Sequence, residues 1–261
     1  MRIVILTSSL YGTAAHHLPL LLESKVCSVA MVIRSQQVIT NKRKYYLRKI
    51  HKLFRIGLLG ALNGIRMRKW YHEDTDKYLK LQSLEVLCKQ NGIPFFTVPT
   101  VNSKETIALF NQANADLGIS LGNGYITEQV FTIPTYGMLN IHHEVLPAYQ
   151  NAQSIIWQIY NESVKTGYSI HKIDNKIDTG EIVYQEEVDI SFRKTFSDTV
   201  AFNYARLFDL SAQGLIVVLR NFRELYSTAK TQGVAARYTT PSFRQYITMY
   251  NNYKKIKKVN Q

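Results

Sequence analysis

The chain has 261 residues, 46% of them hydrophobic, and carries 32 lysines and arginines against 19 acids, a formal charge of +13. That apolar fraction excludes an intrinsically disordered chain, and the length suffices to bury a core without disulfide or metal staples. No apolar run approaches the roughly 20 residues of a bilayer-spanning helix, no signal peptide is read at the N-terminus, and Cys27 and Cys88 lack disulfide-framework or metal-ligand spacing. A cytoplasmic protein of one large or two small domains, with no metal, is expected.

Residues 2–7 (RIVILT) are an apolar run followed by small and polar residues, as at the first strand and turn of a doubly wound sheet. A helix over 16–24 and a second strand over 27–33 follow. Residues 42–70 place Leu47, Ile50, Leu53, Phe54 and Leu58 at helical spacing with Lys49, Lys52 and Arg55 between them, before Gly57, Gly60 and Gly64 break the pattern. Packing on the sheet with charges outward is the preferred reading of this segment, ahead of a basic amphipathic helix docked on a membrane.

A helical stretch ends at Asn91-Gly92, and residues 94–98 form the third strand. Residues 104–114 read as helix, and 116–121 and 137–142 as the fourth and fifth strands. This alternation predicts an α/β, Rossmann-like, mainly parallel sheet, whose ligands bind at the carboxyl ends of the strands. No dinucleotide fingerprint, P-loop or internal repeat is present. A single long helix is expected over 199–225, then a turn-rich module over 235–243 and a basic tail.

The charge is unevenly spread. Residues 24–72 contain 12 bases and no acid, and the chain after Glu224 contains seven bases and no acid, so the rest is mildly acidic. A basic segment indicates an anionic partner: nucleic acid, a membrane surface or a phosphorylated ligand.

Chemistry concentrates between Gly122 and Ile190. Asn140 and His142 lie two apart, so on a strand they share a face, and both can donate hydrogen bonds to one developing oxyanion. Asp178 lies in an Asp-Thr-Gly turn, where a carboxylate can accept the proton lost by an attacking amine. Taken singly, each has a plain alternative: Asn140 in a turn, the His142-His143 pair on a surface, His171 in an ordinary strand, Asp178 in a self-bonded turn.

Taken in order, the pattern N-x-H-x(3)-L-P-x-Y from Asn140, T-G-x-S-x-H ending at His171, and I-D-T-G-x-I from Ile177 resembles the folate-dependent formyltransferases. That family includes glycinamide ribonucleotide transformylase, methionyl-tRNA formyltransferase and the nucleotide-sugar N-formyltransferases. The resemblance implies a formyltransferase fold, a Rossmann-like sheet over residues 1–190, with a small C-terminal helix and basic extension over 191–261. It implies N10-formyltetrahydrofolate as cosubstrate and no metal. Asn140, His142 and Asp178 would be catalytic, with His171 in support. Gly124, Tyr125, Ile126, Ile173, Asp174, Asn175 and Ile177 would bind the folate.

The short C-terminal appendix is similar to that of the sugar enzymes, which implies a nucleotide-linked amino sugar as acceptor and a place in polysaccharide biosynthesis. Arg237, Tyr238 and the basic early insertion over 42–70 are then candidates for the nucleotide. Two alternatives stand beside this: methionyl-tRNA formylation, and a membrane- or nucleic-acid-docking module through residues 42–70. A homodimer is a further expectation, and nucleic acid is the least favoured partner. His143, Glu144 and the Gln150-Asn151-Ala152 run depart from the family pattern, with Glu144 expected close to the site and Asn151 expected to replace a glycine at positive φ.

Overall fold

A computed structural model describes residues 1–260. Its seven-stranded sheet is built of β1 (Arg2–Thr7), β2 (Ser28–Ser35), β3 (Phe95–Val98), β4 (Leu117–Leu121), β5 (Met138–His142), β6 (Lys165–Lys172) and β7 (Ile182–Asp189), in the order β3-β2-β1-β4-β5-β6-β7. The first five strands are parallel and β6 and β7 run antiparallel to their neighbours. The mainly parallel α/β sheet expected from the sequence is therefore present. The five strands expected at 2–7, 27–33, 94–98, 116–121 and 137–142 lie within a few residues of these positions.

Helices cover both faces. They are α1 (Thr13–Ser24), α2 (Lys42–Arg68), α3 (Leu84–Gln90), α4 (Lys104–Ala113), α5 (Glu128–Phe131), α6 (Ile156–Tyr160), α7 (Phe196–Arg220), α8 (Phe222–Ser227) and α9 (Phe243–Asn260). Strand periodicity divides the core: Ile3, Ile5, Leu117, Ile119, Leu139 and Ile141 face α1 and α7, whereas Val4, Leu6, Ile33 and Met138 face Phe110 of α4 and Val130 of α5. Side-chain caps set the helix starts. Asn41 accepts from Lys44 N–H at 2.9 Å, Ser103 from Thr106 N–H at 3.3 Å and Thr195 from Asp198 N–H at 3.1 Å.

Two expectations are corrected. The helix expected over 199–225 is two helices, because Asn221 (φ −109°, ψ 32°) leaves the helical path between α7 and α8. The segment over 42–70 is helical, but the five apolar residues read at helical spacing are not packed on the sheet. Gly57 (φ 72°) kinks α2, and the face formed by Ile56, Gly60, Asn63 and Met67 is buried, while Leu47, Ile50, Leu53, Phe54 and Leu58 are exposed. The reason is steric: Gly60 and Gly64 allow the chain at Thr240–Phe243 to approach, and a Cβ at Gly60 would lie 3.2 Å from Phe243 N. The helix therefore seats on its glycine face and leaves the leucine face outward.

α7 packs across β6 at one point of close approach. Tyr168 is fully buried, donates to Glu186 Oε2 at 2.8 Å, and lies so near Gly214 that a Cβ there would come within 2.1 Å of the phenol oxygen. A Gly214→Ala substitution should displace the ring or the helix and reduce the unfolding free energy by about 1–3 kcal/mol. Urea denaturation checks this; an unchanged midpoint contradicts it.

Candidate active site

The carboxyl ends of β4 and β5 open into one cleft of about 530 Å³, with the end of β1 beside them. Its floor is tied by side-chain bonds across strand ends: Thr7 Oγ1 donates to the Leu121 carbonyl at 2.7 Å, and Asn123 Nδ2 to the Leu6 carbonyl at 2.6 Å. Asn140, His142, His171 and Asp178 all line this cleft. Asn140 and His142 alternate on β5 with Leu139 and Ile141, and Asn140 lies directly opposite His171 in the antiparallel β5–β6 ladder. Strand periodicity thus places three of the four side chains on one face.

The hydrogen bonds define the protonation pattern. His171 Nδ1 is 2.9 Å from the Lys172 carbonyl, which only accepts, so Nδ1 carries the proton. Nε2 then accepts from Asn140 Nδ2 at 3.2 Å. Burial holds the His171 pKa below its ordinary value, opposed by the charge of Asp178, so the ring is a neutral acceptor. This orients the Asn140 amide with one N–H engaged and the second left for a ligand. His142 Nε2 donates to the Tyr149 carbonyl at 3.1 Å.

Asp178 lies between the two rings, its oxygens 3.9 Å from His142 Nε2 and 3.8 Å from His171 Nε2. It adopts φ 55°, and its backbone carbonyl accepts from Gln150 Nε2 at 2.9 Å and Gln232 Nε2 at 3.0 Å. Its Oδ2 accepts from Asn151 N–H at 3.0 Å. Gly180 completes the turn, since any Cβ there would strike the Lys172 carbonyl at 1.8 Å.

Of the residues expected to bind folate, Gly124, Tyr125, Ile126, Ile173, Asp174 and Ile177 line the same cleft. Asn175 is not part of the lining: its amide donates to Glu128 Oε2 at 3.4 Å, and its carbonyl accepts from the Tyr125 hydroxyl at 3.2 Å, joining the two sides of the pocket. Asp174 is engaged by its own loop, accepting from Thr179 Oγ1 at 2.7 Å and Lys176 N–H at 3.0 Å. A Cβ at Gly124 would meet nothing within 4 Å, so this side of the cleft is open space. Arg237 and Tyr238 lie outside the cleft lining. Arg237 is exposed and donates to Gln150 Oε1 at 3.4 Å; Tyr238 stacks on Tyr149 at 5.5 Å and packs against Trp157 at 4.7 Å.

The three departures from the family pattern have structural roles. Asn151 adopts φ 52°, the conformation expected where the family carries glycine. His143 is buried, stacked on Phe208 at 5.1 Å and 3.1 Å from Ser211 Oγ; burial, reinforced by the charges of His142 and His16, depresses its pKa to about 3. Glu144 is fully buried and accepts from Gln158 Nε2, and its carbonyl accepts from Ser169 Oγ at 2.7 Å. Burial pushes its pKa well above 4.5, and the side chain is absent from the cleft lining.

The basic insertion over 42–70 was a nucleotide candidate as a whole and brings Arg68 to the cleft from the end of α2, whereas sequence reasoning missed Tyr71 and His72, which enter from the turn after it. Tyr71 donates to the Ser154 carbonyl at 2.6 Å and so ties that turn to the loop after β5. The basic run was visible, but no local pattern indicates a contact across 83 residues of chain.

This combination of parallel-strand ends, an Asn-x-His strand and an Asp-Thr-Gly turn has family counterparts. The formyl transferase family model matches residues 1–219, and the chain belongs to that family. Over 137 residues it is 31% identical to the methionyl-tRNA formyltransferase of Thermotoga neapolitana, covering 52% of this chain and 42% of that protein; the match thus spans less than half of the relative's length. Among solved structures, glycinamide ribonucleotide transformylase 1 from Symbiobacterium toebii is 15% identical with a TM-score of 0.56, over 89% of this chain and 94% of that one. The N-formyltransferase from Helicobacter canadensis, solved with folinic acid and dTDP-3-aminofucose, is 17% identical with a TM-score of 0.53, over 94% of this chain and 72% of that one. At such identities these two show a shared fold.

Two predictions follow from the burial of Glu144 and the backbone at Asn151. Glu144 has a raised folded pKa, so the unfolded chain ionises first as pH rises above 4.5 and the native state loses stability through that window. Glu144→Gln removes this loss: its stability relative to the parent should rise with pH above 4.5, by at most about 1.4 kcal/mol per pH unit, as read by denaturation at pH 4 to 8. A pH-independent difference contradicts it. Asn151→Gly should preserve the position of Asp178, whereas the β-branched Asn151→Val is strained at positive φ and should lower turnover at least about tenfold; equal turnover of the two variants contradicts that.

Proposed function

We propose that the chain transfers a formyl group from N10-formyltetrahydrofolate to the primary amine of a nucleotide-linked amino sugar. The observation that carries the chemistry is the convergence of Asn140, His142 and Asp178 in one cleft, with the Asn140 amide preset by neutral His171. The amine lone pair attacks the formyl carbon and the carbonyl pair moves onto oxygen. The free N–H of Asn140 donates to that oxyanion, joined by His142 Nε2–H as it turns from the Tyr149 carbonyl. Asp178 accepts the amine proton, directly or through water, and returns it to the departing N10 as the C–N bond breaks. The amine is itself the nucleophile, so positioning and oxyanion stabilisation carry the rate.

The open pocket edged by Gly124, Tyr125, Ile126, Ile173, Asp174 and Ile177 suits a flat pterin. The acceptor assignment is supported by Arg68 at the same cleft, which offers positive charge to a diphosphate, and by the Helicobacter canadensis relative with its bound dTDP-3-aminofucose. A second reading, formylation of methionyl-tRNA, is favoured by the 31% identity to the Thermotoga neapolitana protein. It requires tRNA binding that weakens steeply with salt.

The test supplies N10-formyltetrahydrofolate with a panel of nucleotide-linked amino sugars and detects product by mass spectrometry. At least one sugar should gain a formyl group, and Asn140→Ala and His142→Ala should each lower turnover about 100-fold or more with the fold retained. Product only with methionyl-tRNA selects the second reading; near-normal turnover by His142→Ala overturns the site assignment.

A further inference from the structure

α2 turns its apolar stripe away from the protein. Beyond the kink at Gly57, Leu58, Leu62 and Ile65 recur at spacings of four and three, forming one line along that part of the helix, and are 67%, 57% and 61% exposed; Phe54, just before the kink, is 84% exposed. The opposite face is already occupied, with Gly60 and Gly64 against the chain at Thr240–Phe243 and α9 beside them. The stripe therefore has no intramolecular partner.

Charge accompanies it. α2 contains nine bases and no acid, and none of the nine makes an ion pair among the described residues. Neighbouring α9 adds Arg244, Lys254, Lys255, Lys257 and Lys258, again with no acid; among the described residues only Lys255 of these makes an ion pair, with Glu162 at 2.6 Å. Both helices lie in the two acid-free stretches of the sequence. Exposed leucine and phenylalanine flanked by uncompensated positive charge have the composition of a helix lying in the plane of an anionic bilayer surface.

We propose that α2 docks the protein onto an anionic membrane surface, burying Phe54, Leu58, Leu62 and Ile65 in the acyl boundary while its bases meet lipid phosphates. A second copy of the chain is the weaker occupant, because a twofold contact would oppose two basic, acid-free helices. The far end of α2 leads to Arg68, Tyr71 and His72 in the cleft, so docking sets the mouth of the site beside the bilayer. The proposal does not depend on which amine is formylated.

The test is co-sedimentation of the full chain with vesicles of phosphatidylcholine, with and without about 30 mol% phosphatidylglycerol. Binding should be at least about tenfold tighter to the anionic vesicles and fall with added salt. Leu58→Glu with Leu62→Glu should abolish it, and Lys44→Gln with Arg48→Gln should weaken it several-fold, with helix content unchanged by circular dichroism. Absence of binding to anionic vesicles overturns the proposal, as does undiminished binding by both variants. A concentration-dependent dimer that the leucine variant dissociates, without vesicle binding, assigns the stripe to a second copy instead.

Discussion

Asp178 is held at φ 55° by three amides: the side chains of Gln150 and Gln232 grip its carbonyl and the backbone N–H of Asn151 grips its carboxylate. Those contacts join the loop after β5, the turn before β7 and the segment that returns after α8. Without them a carboxylate on an exposed turn would sample many positions. With them it stands just under 4 Å from two imidazoles at once. The strain of a non-glycine residue at positive φ is borne where the charge must be placed, a common feature of sites that rely on preorganised electrostatics.

The core behind this carboxylate is kept electrically quiet. His171 is neutral because burial outweighs the pull of Asp178. His143 and His17 are neutral because they are buried among rings and one another. Burial raises the pKa of Glu144 in the core and disfavours its charged form. The result is a polar strand end backed by uncharged groups, in which few fixed charges compete with one that develops on a substrate. Burial thus acts twice, forming the core behind the loop and confining the charges near His171, Asp178 first and then Asp174, to the cleft side.

Much of this was legible in the sequence because it is local. Apolar runs at 2–7, 116–121 and 137–142 read as parallel strands, and a period of two put Asn140 and His142 on one face. Asn151 was recognisable as a residue able to stand where glycine is usual, because its short amide tolerates left-handed backbone. What was not legible depends on distant contacts. The grip of Gln232 on Asp178, the entry of Tyr71 and His72 into the cleft, and the burial of Glu144 all join segments far apart in the chain. Helix α2 gave the clearest difference: its leucines have the spacing of a core-facing stripe, but the small residues at Gly60 and Gly64 decide which face packs.

The central claim is that Asp178 takes part in proton transfer during formyl transfer. The most direct measurement is single-turnover transfer from N10-formyltetrahydrofolate by Asp178→Asn, with folate affinity determined in parallel by titration with a stable 5-formyl analogue. The account predicts a chemical step slowed by about 100-fold or more, with folate affinity within about threefold of the parent. A chemical step of unchanged rate would contradict it.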